Sequence, residues 1–297
     1  MLLLLLLLFA DPPQATVLLK QGLIALQRGD LVIARQDFEQ ACAADPRNPY
    51  IWSSLAETYL RLDDHARAIA VAKEAENLSA GNAVAGHALA IFYFHYADDL
   101  LHREKFTEAA DLLAGALQHH PGDAQLTLAL GVARYGQRRF EDSIVAFLAV
   151  IDADPSIEQP YSFLGKMLDQ AGAQLDVITQ AFRAWAEKNP ENAQAQLLLA
   201  KALLASDPQD ARAATFLNRS IALDGNQWES HYQLGLFLAG KHDYRAAAVE
   251  LNRSIELDPK QPLPHYHLAR VYDRLGEADR AKTEREIHLQ LTASHTP

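Results

Sequence analysis

The 297-residue chain carries 27 Lys and Arg against 38 Asp and Glu, a net charge of −11, and neither half is basic. Nucleic-acid binders present a basic face, so this balance argues against a polyanion partner. With 49% apolar and 22% charged residues the composition is that of a folded globular protein, and the single cysteine, Cys42, excludes a disulfide framework or a multi-cysteine zinc site.

At the amino terminus Met1 is followed by seven leucines, Phe9, Ala10, Asp11 and two prolines. The run Leu2–Phe9 falls well short of the ~20 residues that span a bilayer, but it has the length of a signal-peptide core. Residues 1–10 are therefore expected to be a signal-peptide-like leader, and 11–297 a single array, with an exported, periplasmic or secreted location. Two features of a leader are missing. No Lys or Arg precedes the leucines, and Leu8 stands where a small residue is expected. The alternative is an apolar helix start on a cytoplasmic protein. Charges interrupt every other apolar run, so no integral membrane span is expected.

From residue 15 the chain repeats itself. Leu217–Asp224 and Leu251–Asp258 differ at one position in eight and lie 34 residues apart. The small residues Gly22, Ala56, Ala90, Gly131, Gly165, Ala200, Gly235 and Ala269 keep the same phase, with intervals of 34, 34, 41, 34, 35, 35 and 34. All but the first follow a leucine. Eight units result, starting near residues 15, 49, 83, 124, 158, 193, 228 and 262. Each reads as a leucine-rich helix of about 14 residues, a turn such as Arg28-Gly29-Asp30, and a second helix with small residues one turn apart. The recurring Gly or Ala is expected to let the two backbones approach, and Pro46, Pro155 and Pro259 to stop second helices. One such pair cannot bury its apolar face alone, so the units must stack.

Three units depart from the period. Units five and six each carry one extra residue, best absorbed at Gln170–Gln174 and Ser206–Gln209. Unit three carries seven, close to two helical turns; shared between its helices they would lengthen each by one turn and make a protruding, aromatic-rich tip within 91–106. The charge-rich last helix, Asp279–Leu291, suits an exposed cap.

Unit two (Trp52, Leu55, Ala56, Tyr59, Ala68), unit one (Gly22, Ala34, Phe38, Ala41, Pro46) and unit four (Leu130, Gly131, Phe147, Pro155) resemble the tetratricopeptide-repeat family. The resemblance runs through about 95% of the chain. It implies an all-α, right-handed superhelical solenoid of eight helix-turn-helix repeats. It further implies a non-catalytic scaffold whose first helices line a groove for a protein or peptide partner, here in a bacterial envelope assembly if the leader is real. By position the groove falls to Ile91, Phe94, Leu128, Tyr135, Lys166, Lys201, Tyr232 and Arg270. Phe94 and Tyr135 occupy equivalent places in neighbouring units, with Lys166 in the next. The bland reading pairs Lys166 with Asp169 and Arg270 with Asp273 on single helix faces. The Lys and Asn with which some family members clamp a terminal carboxylate are absent, Leu19 with Leu23 and Ser53 with Glu57 standing there instead.

Other candidates have plainer explanations. His95, Asp99 and His102, with Asp98 beside them, share the i, i+4, i+7 face of a helix and have metal-ligand chemistry. At a solvated tip they are more simply surface polars. His119-His120 suits a helix end, where imidazolium meets the dipole. Asn77, Asn218 and Asn252 match the glycosylation acceptor pattern, the last two because the repeat does. Cys42 lies among alanines and reads as a buried small residue. No phosphate loop or catalytic spacing appears, so no cofactor is expected. The alternatives to a peptide-binding scaffold are a metal-dependent or enzyme-accessory protein using the histidine stripe, and a structural spacer with no groove ligand. A groove no more apolar than the opposite face would favour the spacer.

Overall fold

The computed structural model describes residues 13–79 and 82–293; the expected leader lies outside them. The described residues form sixteen α-helices and no strand. They are α1 (Gln14–Arg28), α2 (Leu31–Ala44), α3 (Pro49–Arg61), α4 (His65–Leu78), α5 (Ala83–His102), α6 (Phe106–His119), α7 (Ala124–Gly136) and α8 (Phe140–Ala153). After these come α9 (Gln159–Lys166), α10 (Leu175–Lys188), α11 (Ala193–Ser206), α12 (Ala211–Leu223), α13 (Trp228–Gly240), α14 (Tyr244–Leu257), α15 (Pro262–Leu275) and α16 (Ala278–Ala293). The first helix of every repeat begins within one residue of its expected start. The fold is an all-α helical-repeat solenoid.

The chain divides into two compact units, residues 1–139 and 140–297. In the first, α1 packs on α2, α3 on α4 and α5 on α6, while the first helices α1, α3, α5 and α7 lie side by side. In the second, α11 packs on α12, α13 on α14 and α15 on α16, with α9 beside α11 and α13 beside α15. The pattern follows from helices whose apolar stripe is wider than one partner can cover.

Four devices, counted from the small residue, recur through the repeats. Eight residues before it, Asn48, Asn82, Asp123 and Asn192 cap α3, α5, α7 and α11, each side-chain oxygen accepting from an otherwise orphaned backbone N–H. Four residues before it stands a donor that reaches the carbonyl six residues back: Trp52 to Pro46, Tyr161 to Pro155, Gln196 to Pro190, and the histidines 231 and 265 to Gly225 and Pro259. Those carbonyls lie just past the preceding second helix, so the bond ties one repeat to the next. The small residue itself is buried in every unit. Seven residues beyond it the backbone turns left-handed at Gly29, Asp63, Arg138, Gly172, His242 and Gly276. Glu104, seven residues later still because of the insertion, has φ 57°.

The structure corrects three expectations. The seven extra residues of unit three all enter α5, which runs 20 residues, while α6 keeps 14; the i→i−4 ladder continues from Ala90 without a break, and no turn forms until Arg103. Unit five does not form a 14-residue first helix. α9 has 8 residues, and 3-10 turns at Leu168–Gln170 and Gly172–Gln174 take up the extra residue where it was expected. At Gly22 the small residue makes room for a side chain, and at Gly235 for a side chain and the Leu251 backbone nitrogen, 3.3 Å from an added Cβ. A Cβ on Gly22 would stand 2.7 Å from the Phe38 ring, and one on Gly235 2.7 Å from Leu251. Both partners lie sixteen residues downstream on the second helix. As expected, α16 is an exposed cap that buries only Ala281.

Candidate partner-binding surface

On the first unit, Ile91 is 37% exposed, and Phe94, Leu128 and Tyr135 are half-buried on α5 and α7. The Phe94 ring has His95 of its own helix 6.1 Å away and, like Leu23, Leu26 and Leu60, packs against the edge of the core. Across α3 and α5 the Glu57 carboxylate lies 3.2 Å from His95 Nδ1. That hydrogen bond raises the imidazole above its ordinary pKa, against the opposing effect of burial.

The histidine stripe stays on one helical face but does not converge. His95 turns to Glu57, His102 donates to the Asp98 carbonyl at 2.8 Å, and Asp99 accepts from Arg103 at 3.1 Å. Among the described residues no group of three or more His, Cys, Asp or Glu is placed to hold a metal ion. His120 is not a charged cap either. Burial lowers its pKa, and its ring stands 6.3 Å from Tyr93. The Cys42 thiol is buried and pushed up to about 12 by desolvation, with Glu39 adding to the shift.

On the second unit the expected residues separate. Tyr232 is only 7% exposed and belongs to the core, its ring against Trp228 and, across to α15, His267. At this position the helix faces its neighbour, so Tyr232 is a wall of the array and not a groove residue. Lys201 is neutralised by Glu229 of α13, Nζ to Oε1 2.6 Å. Lys166 is exposed and does not take the expected Asp169 pairing, because α9 ends at Lys166; its ammonium lies 5.4 Å from the Phe163 ring centroid. Arg270 is likewise not paired with Asp273, which Arg285 holds; its guanidinium lies 5.7 Å from the Tyr266 ring.

Between α13 and α15, Arg270 borders a cleft of about 440 Å³. Leu236, Ala239, Gly240 and Val271 line it with apolar surface; His242 and Tyr244 come from the turn and α14, and His267, Arg270 and Arg274 from α15. No carboxylate lines the cleft, and among the described residues neither Arg270 nor Arg274 has an ion-pair partner. Burial and then the Arg270 charge push His267 down to about 4, so it is neutral at pH 7. Position-counting had found Arg270 but missed Arg274 and His267, which lie one turn beyond and three residues before it.

Large apolar side chains that remain exposed are shared evenly between the two kinds of helix, Val17, Ile24, Val84, Ile91, Leu263 and Tyr266 on first helices against Val32, Ile33, Val145, Val177, Val249 and Leu289 on second helices. Among the described residues no helix is long and apolar enough to cross a membrane. Asn218 and Asn252 sit within α12 and α14, with their amides donating to Ala214 and Ala248 of the same helix.

The tetratricopeptide-repeat family model matches residues 19–83 and 97–156. These two stretches carry tetratricopeptide repeats. Two solved structures share the chain's fold. One is TTC0263, a thermophilic tetratricopeptide-repeat protein of Thermus thermophilus, at 19% identity and a TM-score of 0.50 over 58% of this chain and 93% of that one. Another is a chain of the APC/C hetero-tetramer Cut9–Hcn1, at 15% identity and 0.53 over 89% of this chain and 50% of that one. No curated protein sequence matches. Tetratricopeptide repeats bind protein partners and are typically non-catalytic, and the family supports a protein-interaction scaffold here.

Proposed function

We propose that this chain is a non-catalytic scaffold that holds an extended peptide segment of a partner protein against its first helices. The observation that carries the reading is the cleft between α13 and α15, where apolar lining and two unneutralised cations meet on the first-helix side. In the first unit Ile91, Phe94, Leu128 and Tyr135 supply half-exposed apolar area of the kind that becomes a hot spot when a partner covers it. Placement in an envelope assembly, after removal of residues 1–10, is part of the same proposal. N-terminal sequencing of protein from its native host would then find Asp11 first, and an intact Met1 on cytoplasmic protein would refute that part.

The even sharing of exposed apolar side chains between first and second helices favours a second reading, a spacer with no groove ligand. The two are separated by identifying the partner through cross-linking and mass spectrometry, then measuring its affinity for variants. Phe94→Ala and Tyr135→Ala are each expected to cost about 2 kcal/mol of binding with helicity retained. Unchanged affinity, or loss of the fold, would show these aromatics to be core residues and leave the spacer reading.

A further inference from the structure

The cleft between α13 and α15 has a chemistry that the peptide-groove reading leaves unspecified. We propose that it is an acid-selecting subsite, taking an Asp or Glu side chain of the bound peptide between Arg270 and Arg274 while a neighbouring apolar side chain covers Leu236 and Ala239. The inference rests on the groove reading and adds the ligand's charge.

The argument is one of unmatched charge. The chain is acidic overall, at −11, and several cations of the second unit are held by neighbouring acids. Lys201 is held by Glu229, Arg219 by Glu191, Arg212 by Asp210 and Arg280 by Glu277. The acids nearest Arg270 and Arg274 in sequence are committed elsewhere, Asp273 to Arg285 and Glu277 to Arg280. Two guanidiniums one helical turn apart therefore border an apolar-lined cleft with no internal counter-charge. A guanidinium is built to meet a carboxylate with paired N–H donors. The Arg270 guanidinium lies over the Tyr266 ring, 5.7 Å from its centroid. Neutral His267, T-shaped against Tyr232 and Tyr266, walls the cleft without adding an acid. The contrast is the cleft between α10 and α12. Three arginines line it as well, but Arg212 and Arg219 are already paired and Glu187 is part of its lining.

The test uses the full chain and an array of random decapeptides blocked at both ends, with affinities of the best binders measured by fluorescence anisotropy. Binders should be enriched in Asp and Glu next to an apolar residue. The Arg270→Gln/Arg274→Gln double variant should bind the tightest of them at least tenfold more weakly, and raising the salt should erode the wild-type advantage. Arg183→Gln, at the cleft between α10 and α12, should change affinity less than twofold. Binders with no acidic enrichment, or full affinity in the double variant, would overturn this inference and leave the groove reading in place. A neutral peptide with a free C-terminus binding as tightly as the acidic ones would also overturn it, in favour of terminal-carboxylate capture. If no decapeptide bound at all, the groove reading would fall too.

Discussion

Replacing Gly22 by Ala should destabilise the protein, although the same change in an open helix does the reverse. Gly22 lies in the middle of α1, and a methyl there would meet Phe38 Cε1 at 2.7 Å, Cδ1 at 2.8 Å and Cζ at 3.0 Å. Carbon atoms pack comfortably at about 3.5–4.0 Å, and the Phe38 ring is fully buried on α2, so it has nowhere to swing. Overpacking of this kind costs about 1–3 kcal/mol. Ala is better than Gly in a helix by about 1 kcal/mol, so the net loss should be about 1 kcal/mol. Gly115 is the internal control. It lies in α6, exposed, with nothing within 4 Å of an added Cβ, so Gly115→Ala should gain about 1 kcal/mol from propensity alone. Repeat arrays can lose cooperativity, so urea melts should be accompanied by native-state hydrogen exchange of the α1 and α2 amides. Phe38→Leu should relieve part of the Gly22→Ala penalty. Stabilisation by Gly22→Ala, equal to that of Gly115→Ala, would refute the idea that the small residue exists to seat a ring from the second helix.

The left-handed turns give a second prediction: Glu104→Gly and Arg138→Gly should each raise stability by about 1 kcal/mol, since non-glycine residues pay about that to hold such a φ, and a lowered denaturation midpoint would contradict it. Glu250→Ala and Glu284→Ala remove the carboxylates 2.7 Å from buried His231 and 2.6 Å from buried His265. Each should cost about 1–3 kcal/mol, whereas Arg253→Ala, from an exposed pair, should cost almost nothing; equal losses would show that burial of the histidines is immaterial. The Glu57–His95 bond should be pH-dependent. His95 is raised in the folded state, so its contribution is fully present below its unfolded pKa of about 6.5 and fades as the pH climbs through the raised value. The difference in melting temperature between wild type and Glu57→Gln should therefore be larger at pH 5.5 than at pH 8, and a difference independent of pH would sink this assignment.

Much of the architecture was legible because the devices recur in phase. A small residue in phase and a glycine turn such as Gly29, Gly172 or Gly276 seven positions after it are local requirements that periodicity exposes. The capping Asn or Asp eight positions before it was not picked out. The turns at Asp63, Glu104, Arg138 and His242 escaped notice because nothing in those residue types announces a positive φ; only their phase does. The donor four positions before the small residue was hidden because Trp, Tyr, Gln and His all meet the need to reach one carbonyl. Counting could also not decide where seven inserted residues go, since either helix can grow by two turns without losing phase. The surface was harder still. Tyr232 and Arg270 were both chosen by counting from the small residue, yet the first fills the seam between neighbouring helices while the second borders a cleft. Whether a cation is free depends on acids such as Glu229 and Arg285's partner Asp273, which come from other helices or change partner.

The central claim, that a partner lies along the first helices, is tested most directly by site-specific photo-cross-linking in the native host. Benzoylphenylalanine would be placed at Ile91 and Tyr266 on first helices, and at Val145 and Val249 on second helices, four positions that are 37–65% exposed. The account predicts that one partner is captured from Ile91 and Tyr266 and not from Val145 or Val249. Capture of that partner chiefly from Val145 and Val249 would contradict it.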